Sequence, residues 1–365
     1  MSEYILIVIW SGLAALLSQI FQVDTEMPVM GRRVRRVRLW FAVLVFLPLV
    51  YMAANRGELA DTYLYLKLYE QMPDTWAEIP AYLRMVNKDQ GFSLLSCVIH
   101  VLVGNQEVIY LGIIALLQTA VLVQIFRKYS INYVMSFFLF VASADYVSWM
   151  LNGMRQFCAV VLIFAATPYI LKKKWTPTVL LILLASTMHM SALLMLPVVF
   201  LMQGRAWNKR SLLFLGLVLL VVTFVDQFTD LLDEIMRDTQ YASMVADWET
   251  WDDDGTNVIR VLVYAVPTIL SLVGLRYIRH ADDPVINLCA NMSIVSTGLY
   301  IISMVTSGIF IGRLPIYASL YNYILLPWLL DHMFTRDTAK LMKWVMVAAY
   351  LGYYYYQMHI AWAFI

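Results

Sequence analysis

Long apolar runs dominate this chain and limit what it can become. They fall at about 4–21, 39–54, 107–126, 132–151, 154–171, 175–188, 190–203, 211–228, 258–277, 285–305, 311–330 and 343–362. Many approach the roughly 20 residues that a helix needs to cross a bilayer. With 61% hydrophobic and 14% charged residues and a mean hydropathy of +0.70, the chain lies far from the soluble range. The pattern predicts an all-α polytopic integral membrane protein of about 10–12 transmembrane helices, with re-entrant or interfacial helices. It reads as a single transmembrane domain over residues 1–365, with no soluble enzyme domain attached. The first run, Tyr4–Phe21, lacks a basic leader and a small-residue cleavage site, so it is read as a retained helix. A net charge of +1 says nothing about partners, and nothing points to nucleic acid.

Basic residues set the expected orientation. Clusters occur at 32–38, Arg127-Lys128, Lys172-Lys173-Lys174, Arg205/Lys209/Arg210, Arg276/Arg279 and Arg336/Lys340/Lys343. All can be cytoplasmic if Thr176–Met202 is a helical hairpin turning near His189. That topology leaves two external loops, about 55–106 and 229–257. The first contains Phe92–Val103, too short to span comfortably and expected to be re-entrant or interfacial. The second is rich in acids, among them Asp252-Asp253-Asp254, which lack the spacing of a calcium loop. Cys97, Cys158 and Cys289 sit in apolar contexts without metal or disulfide spacing. The histidines show no ligand-like spacing, and no metal site is expected. The Tyr353–Tyr356 run reads as part of an interfacial aromatic belt.

A few polar positions stand out against this background. Asn152-Gly153-Met154-Arg155-Gln156 places an arginine and two amides between two apolar runs. A charge there is costly, so it either has a task or snorkels to headgroups. An arginine opening a helix also adds backbone N–H donors, which suits a phosphate oxygen. His189 and Ser191 form a polar island; the histidine is either a base near neutral pH or a packed, satisfied side chain. Arg313, followed by Pro315 and Tyr317, marks another helix entrance. Arg56 and Asp61, with Tyr63 and Tyr65 following, set a cation, a carboxylate and rings in an external loop, either a sugar-binding surface or a solvated ion pair.

In their order, Arg56…Asp61…Tyr65, Lys88-Asp89-Gln90-Gly91-Phe92, Asn152–Gln156, Met188-His189-Met190-Ser191-Ala192 and Arg313-Leu314-Pro315-Ile316-Tyr317 resemble the EpsG family. That family is related to the Wzy-type bacterial polysaccharide polymerases. The resemblance runs from about 50 to 330. It departs at Met188, where the family often has Phe, and at Asp89-Gln90, where an acid with Pro is common. The resemblance implies a GT-C-like glycosyltransferase of the bacterial cytoplasmic membrane with its site facing outside. Its donor and acceptor would be undecaprenyl-diphosphate-linked oligosaccharides, with no cofactor, metal or nucleotide sugar required. Membrane lipids and a chain-length regulator protein would be its other partners. Arg155, Arg313 and Arg56 would hold the diphosphate, and His189 or Asp61 would act as the base. Gln156, Asn152, Ser191, Tyr65, Asp89 and Tyr317 would bind substrate. An O-antigen ligase, another polyprenyl-linked transferase or a flippase are the alternatives; the absence of paired repeats disfavours the flippase.

Overall fold

The computed structural model describes residues 3–26, 33–57, 61–236 and 255–364. The chain divides into two compact units, one formed by Met1–Leu196 with Arg336–Ile365, the other by Pro197–Thr335.

The first unit opens with α1 (Glu3–Ser18), then a feature that departs from an all-helical expectation. Strands β1 (Gln22–Glu26) and β2 (Arg33–Val37) pair antiparallel, with Asp24 opposite Arg35 and Glu26 opposite Arg33. Residues alternate faces along a strand, so Arg36 falls on the face opposite Arg35 and is buried. The helices α2 (Leu39–Asn55), α3 (Thr62–Glu70), α4 (Ile79–Met85), α5 (Gln90–Val103) and α6 (Glu107–Tyr129) follow. The expected external loop is thus largely helical. At 14 residues α5 is about 21 Å long, shorter than the ~30 Å hydrocarbon core. It packs on α3, α4 and α6, in keeping with a helix that does not cross.

The apolar run after α6 is broken. The helix α7 (Tyr133–Ala142) meets a π-helical segment, Tyr146–Asn152, at 82°. Ala144 at the corner has a φ of 60°, and the fully buried Asp145 carboxylate accepts a hydrogen bond from the Trp149 indole at 3.2 Å. A buried carboxylate is costly unless hydrogen-bonded, and the Trp149 indole supplies one such bond. Beyond it run α8 (Met154–Ala165), α9 (Thr167–Leu171) and α10 (Trp175–Met188); a 3-10 turn, Met190–Leu194, succeeds His189. The helix α2 packs on α6, α6 on α8, and α8 on α10. The C-terminal helix Arg336–Tyr355 packs on α7. Its tyrosines correct the aromatic-belt expectation in part: Tyr355 is exposed, but Tyr353 and Tyr354 are buried, and the Tyr354 hydroxyl bonds the Tyr146 hydroxyl at 2.7 Å and the Tyr4 carbonyl at 2.8 Å.

In the second unit the helix Pro284–Met304 is central, with Lys209–Thr223, Val258–Val273 and Asn322–Met333 against it. Its Asn291 bonds the Trp207 amide and the Ser211 hydroxyl and donates to the Met202 carbonyl, tying down the turn before Lys209. Residues 237–254, which hold most of the acidic segment including Asp252-Asp253-Asp254, lie outside the described residues.

By length and composition, Glu107–Tyr129, Met154–Leu171 and Pro284–Met304 are long enough to cross a membrane. Tyr133–Asn152 and Val258–Ala281 join them if each bent pair is one span, giving five among the described residues. Five further apolar helices are only 10–17 residues long. The expected 10–12 full spans are therefore not reached on this criterion. Breaks at Ser143–Asp145 and Gly274 divide runs that look continuous in the sequence, and His189 separates the two runs expected to form a hairpin.

Candidate functional site

Chain connectivity defines two ends in the first unit. The helix α2 starts beside Arg36 and ends at Arg56, some 25 Å apart for 17 residues. It lies antiparallel to α6: Arg36 donates to the Lys128 carbonyl at one end, while Ala54 lies against Gly112 at the other. Arg155 opens the next long helix, which ends at Lys172–Lys174, and α10 returns to His189. Within this unit Arg36, Arg127-Lys128 and Lys172–Lys174 thus fall at the end of the helices opposite Arg56, Arg155 and His189.

Arg56 follows the last turn of α2 and is half-buried. Its Nε donates to Thr62 Oγ1 at 3.0 Å, one Nη to the Ala53 carbonyl at 3.2 Å, and the other to Met154 Sδ at 2.7 Å. No carboxylate pairs with it among the described residues. Burial pushes its pKa down to about 10. A buried cation with only a hydroxyl, a carbonyl and a thioether as acceptors is poorly compensated, and an incoming anion would relieve it. One residue on from Met154, Arg155 is 36% exposed and pairs with Asp89 at 2.9 Å. Its guanidinium also lies 5.6 Å from the centre of the Tyr65 ring, a cation–π arrangement. Its buried Nε has no hydrogen-bond partner among the described residues.

Asp89 is 6% exposed in its side chain and stands at the start of α5 in a left-handed conformation, φ 52°. Asp is among the few residues that adopt this backbone readily. Burial raises its pKa above the usual carboxylate range, although Arg155 and the Met190 backbone favour the charged form. Asn152 ends the π-helical segment and accepts the Asp61 amide at 3.0 Å, fixing the start of α3 to the start of α8. His189 breaks α10 with extended backbone, and its Nδ1 lies 2.7 Å from Ser191 Oγ. The approach of α5 to α10 depends on Gly91. A Cβ there would lie 2.1 Å from Thr187 Oγ1 and 2.7 Å from Thr187 Cβ.

One connected cluster therefore joins Arg56, Asp61, Asn152, Arg155, Tyr65, Asp89 and the Met190 backbone next to His189. Gln156 is buried at the first turn of α8. Arg313 and Tyr317 belong to the second unit. There Arg313 ends a 3-10 turn, Ile311–Arg313, and Tyr317 is buried. The turn is held where Ser303 Oγ bonds Thr256 Oγ1 at 2.8 Å, and a Cβ on Gly312 would meet that Thr256 oxygen at 2.6 Å.

The sequence reading missed several participants. Met154 provides the sulfur beside Arg56. Gln118, fully buried on α6, donates to the Met154 carbonyl at 3.3 Å and to Cys158 Sγ at 3.4 Å, bracing the first turn of α8. An amide in the middle of an apolar helix was the available signal. The three cysteines are buried and free, as their contexts suggested.

These features define a multi-pass helical membrane protein with a half-buried cationic site lined by rings and a carboxylate. The EpsG family model matches residues 39–363, and the chain belongs to the EpsG family. No curated protein and no solved structure matches the chain. Membership is consistent with a polysaccharide polymerase-type function.

Proposed function

We propose that the protein is a membrane glycosyltransferase that polymerises undecaprenyl-diphosphate-linked oligosaccharide repeat units on the outer side of the cytoplasmic membrane. The observation that carries this reading is the pair of arginines, Arg56 on Met154 and Arg155 on Asp89 and Tyr65, gathered at the end of the helices opposite the basic clusters. By the positive-inside rule that end faces outside.

An acceptor hydroxyl oxygen attacks the anomeric carbon of the donor, and the bond from that carbon to the diphosphate oxygen breaks. The electron pair leaves with the diphosphate, whose growing charge Arg155 and Arg56 stabilise. Such preorganised donors are worth several kcal/mol in comparable sites. The hydroxyl proton passes to His189 or Asp61. With Nδ1 protonated and donating to Ser191, the imidazole carries its lone pair on Nε2, as a base requires. Tyr65 offers a ring face for a sugar, and Asn152 keeps the Asp61 segment beside the arginines.

The test is made in cells from which this gene alone is deleted. They should accumulate single lipid-linked repeat units, and the restored gene should return a ladder of polymer lengths. Polymer that persists on its lipid carrier without transfer would point to a ligase, and repeat units trapped on the cytoplasmic leaflet to a flippase; either result overturns the assignment.

A further inference from the structure

The opposite end of the first unit holds a second cationic feature that the polymerase reading does not use. Arg36 on β2 is nine-tenths buried, and its Nε has no hydrogen-bond partner among the described residues. Arg127 and Lys128, at the end of α6, converge on it: Arg36 donates to the Lys128 carbonyl, and Arg127 Nε donates to the Val37 carbonyl at 2.8 Å. Among the described residues no carboxylate pairs with any of the three. Burial and the nearby Arg127 both push the Arg36 guanidinium below its usual pKa. Three cations brought together in this way favour an anion.

From this cluster a groove of about 610 Å³ runs down between α2 and α6. Its walls are Leu39, Val43, Leu47 and Val50 on one helix and Leu116 and Ala120 on the other, with Arg36, Arg127 and Lys128 at its mouth. The spacing of the α2 residues keeps them on one face, and Leu39 and Leu116 remain exposed. From Leu39 to Val50 is about 16 Å of helix, close to half of the ~30 Å hydrocarbon core. The groove is one leaflet deep, apolar along its length and cationic at the surface.

We infer that this groove is a binding site for one anionic glycerophospholipid of the surrounding leaflet, its phosphate held by Arg36, Arg127 and Lys128 and an acyl chain lying between α2 and α6. Arginine forks and a lysine point charge suit a phosphate diester. A polyprenyl chain is far longer than a one-leaflet groove, and free phosphate makes no use of the apolar walls. The site is independent of the reaction assigned to the other end.

The experiment is lipid titration of the full-length protein in a neutral detergent, read by native mass spectrometry. Phosphatidylglycerol should bind in preference to phosphatidylcholine. Lys128→Gln, which leaves the backbone carbonyl under Arg36 intact, should lower that preference about fivefold, in line with one lysine near an anionic surface. Ala120→Phe, which fills an exposed part of the groove, should weaken binding of both lipids and leave the melting temperature unchanged. Equal occupancy by the two lipids, or unaltered binding in both variants, would overturn the inference. Preferential binding of a polyprenyl phosphate, or displacement of the lipid by inorganic phosphate alone, would overturn the choice of occupant.

Discussion

Replacing Gly91 with alanine probes whether the start of α5 and the end of α10 are held as closely as the structure places them. The added methyl would sit 2.1 Å from Thr187 Oγ1, 2.7 Å from Thr187 Cβ and 3.0 Å from the Thr187 carbonyl carbon. Favourable carbon contacts lie at about 3.5–4.0 Å. The Thr187 hydroxyl could rotate away, giving up its 2.7 Å bond to the Leu184 carbonyl, but Cβ and the carbonyl carbon cannot. One helix must therefore move by roughly 0.5–1 Å, at a cost of about 1–3 kcal/mol typical of overpacking. The moving parts carry the site, since Asp89 lies two residues before Gly91 and His189 two residues after Thr187. Misplacement of about 1 Å can reduce catalysis by about 10²-fold. Thermal unfolding of the purified protein and polymer ladders in cells should both show the loss, whereas Gly57→Ala, where no atom lies within 4 Å, should be silent. Thr187→Gly in the Gly91→Ala chain should restore part of both. Identical behaviour of the two glycine variants would refute the close approach.

Arg155→Lys keeps a charge but loses the fork between Asp89 and a diphosphate, and should lower polymerisation about 10²-fold at normal expression; near-normal ladders would make Arg155 a boundary residue. Because burial raises the Asp89 pKa, its ionisation costs stability that is lost as pH rises from the ordinary carboxylate value through the raised one. By the same sign, donor binding should strengthen as pH falls through that raised value and Asp89 releases Arg155, and Asp89→Asn should abolish this dependence in a binding titration. His189→Ala should lose about 10²–10⁴-fold in turnover while still binding donor; a dead Asp61→Asn beside an active His189→Ala would exchange the two roles. Cysteines introduced at Gly57 and at Lys172 should differ toward an impermeant maleimide, with only Gly57 labelled from outside. The buried native thiols leave a low background, and the reverse pattern would invert the topology.

The site was partly legible because hydrocarbon makes polar residues conspicuous. Arg155, Asn152 and His189 interrupt apolar runs, and each marks a helix start, a helix end or a break. Their partners were not legible. Asp89 and Arg155 are 66 residues apart, and nothing local in a single sequence joins them. The Met154 sulfur and the Gln118 amide were hidden in the same way, each ordinary in its own segment. The two-stranded hairpin was masked by its charge: the arginines of 33–37 read as a cytoplasmic cluster, while the alternation that pairs Asp24 with Arg35 went unused. Helix number failed for a different reason. Hydropathy registers an apolar run but not the corner at Ala144 or the 65° bend near Gly274.

The proposed reaction joins repeat units at the arginine site with loss of a lipid diphosphate. It is tested most directly by purified protein in liposomes supplied with lipid-linked repeat units alone. The prediction is one polyprenyl diphosphate released for each repeat added, without nucleotide sugar, and loss of both signals together in Arg155→Ala. Elongation that needs a nucleotide sugar, or diphosphate release that persists in Arg155→Ala, would contradict it.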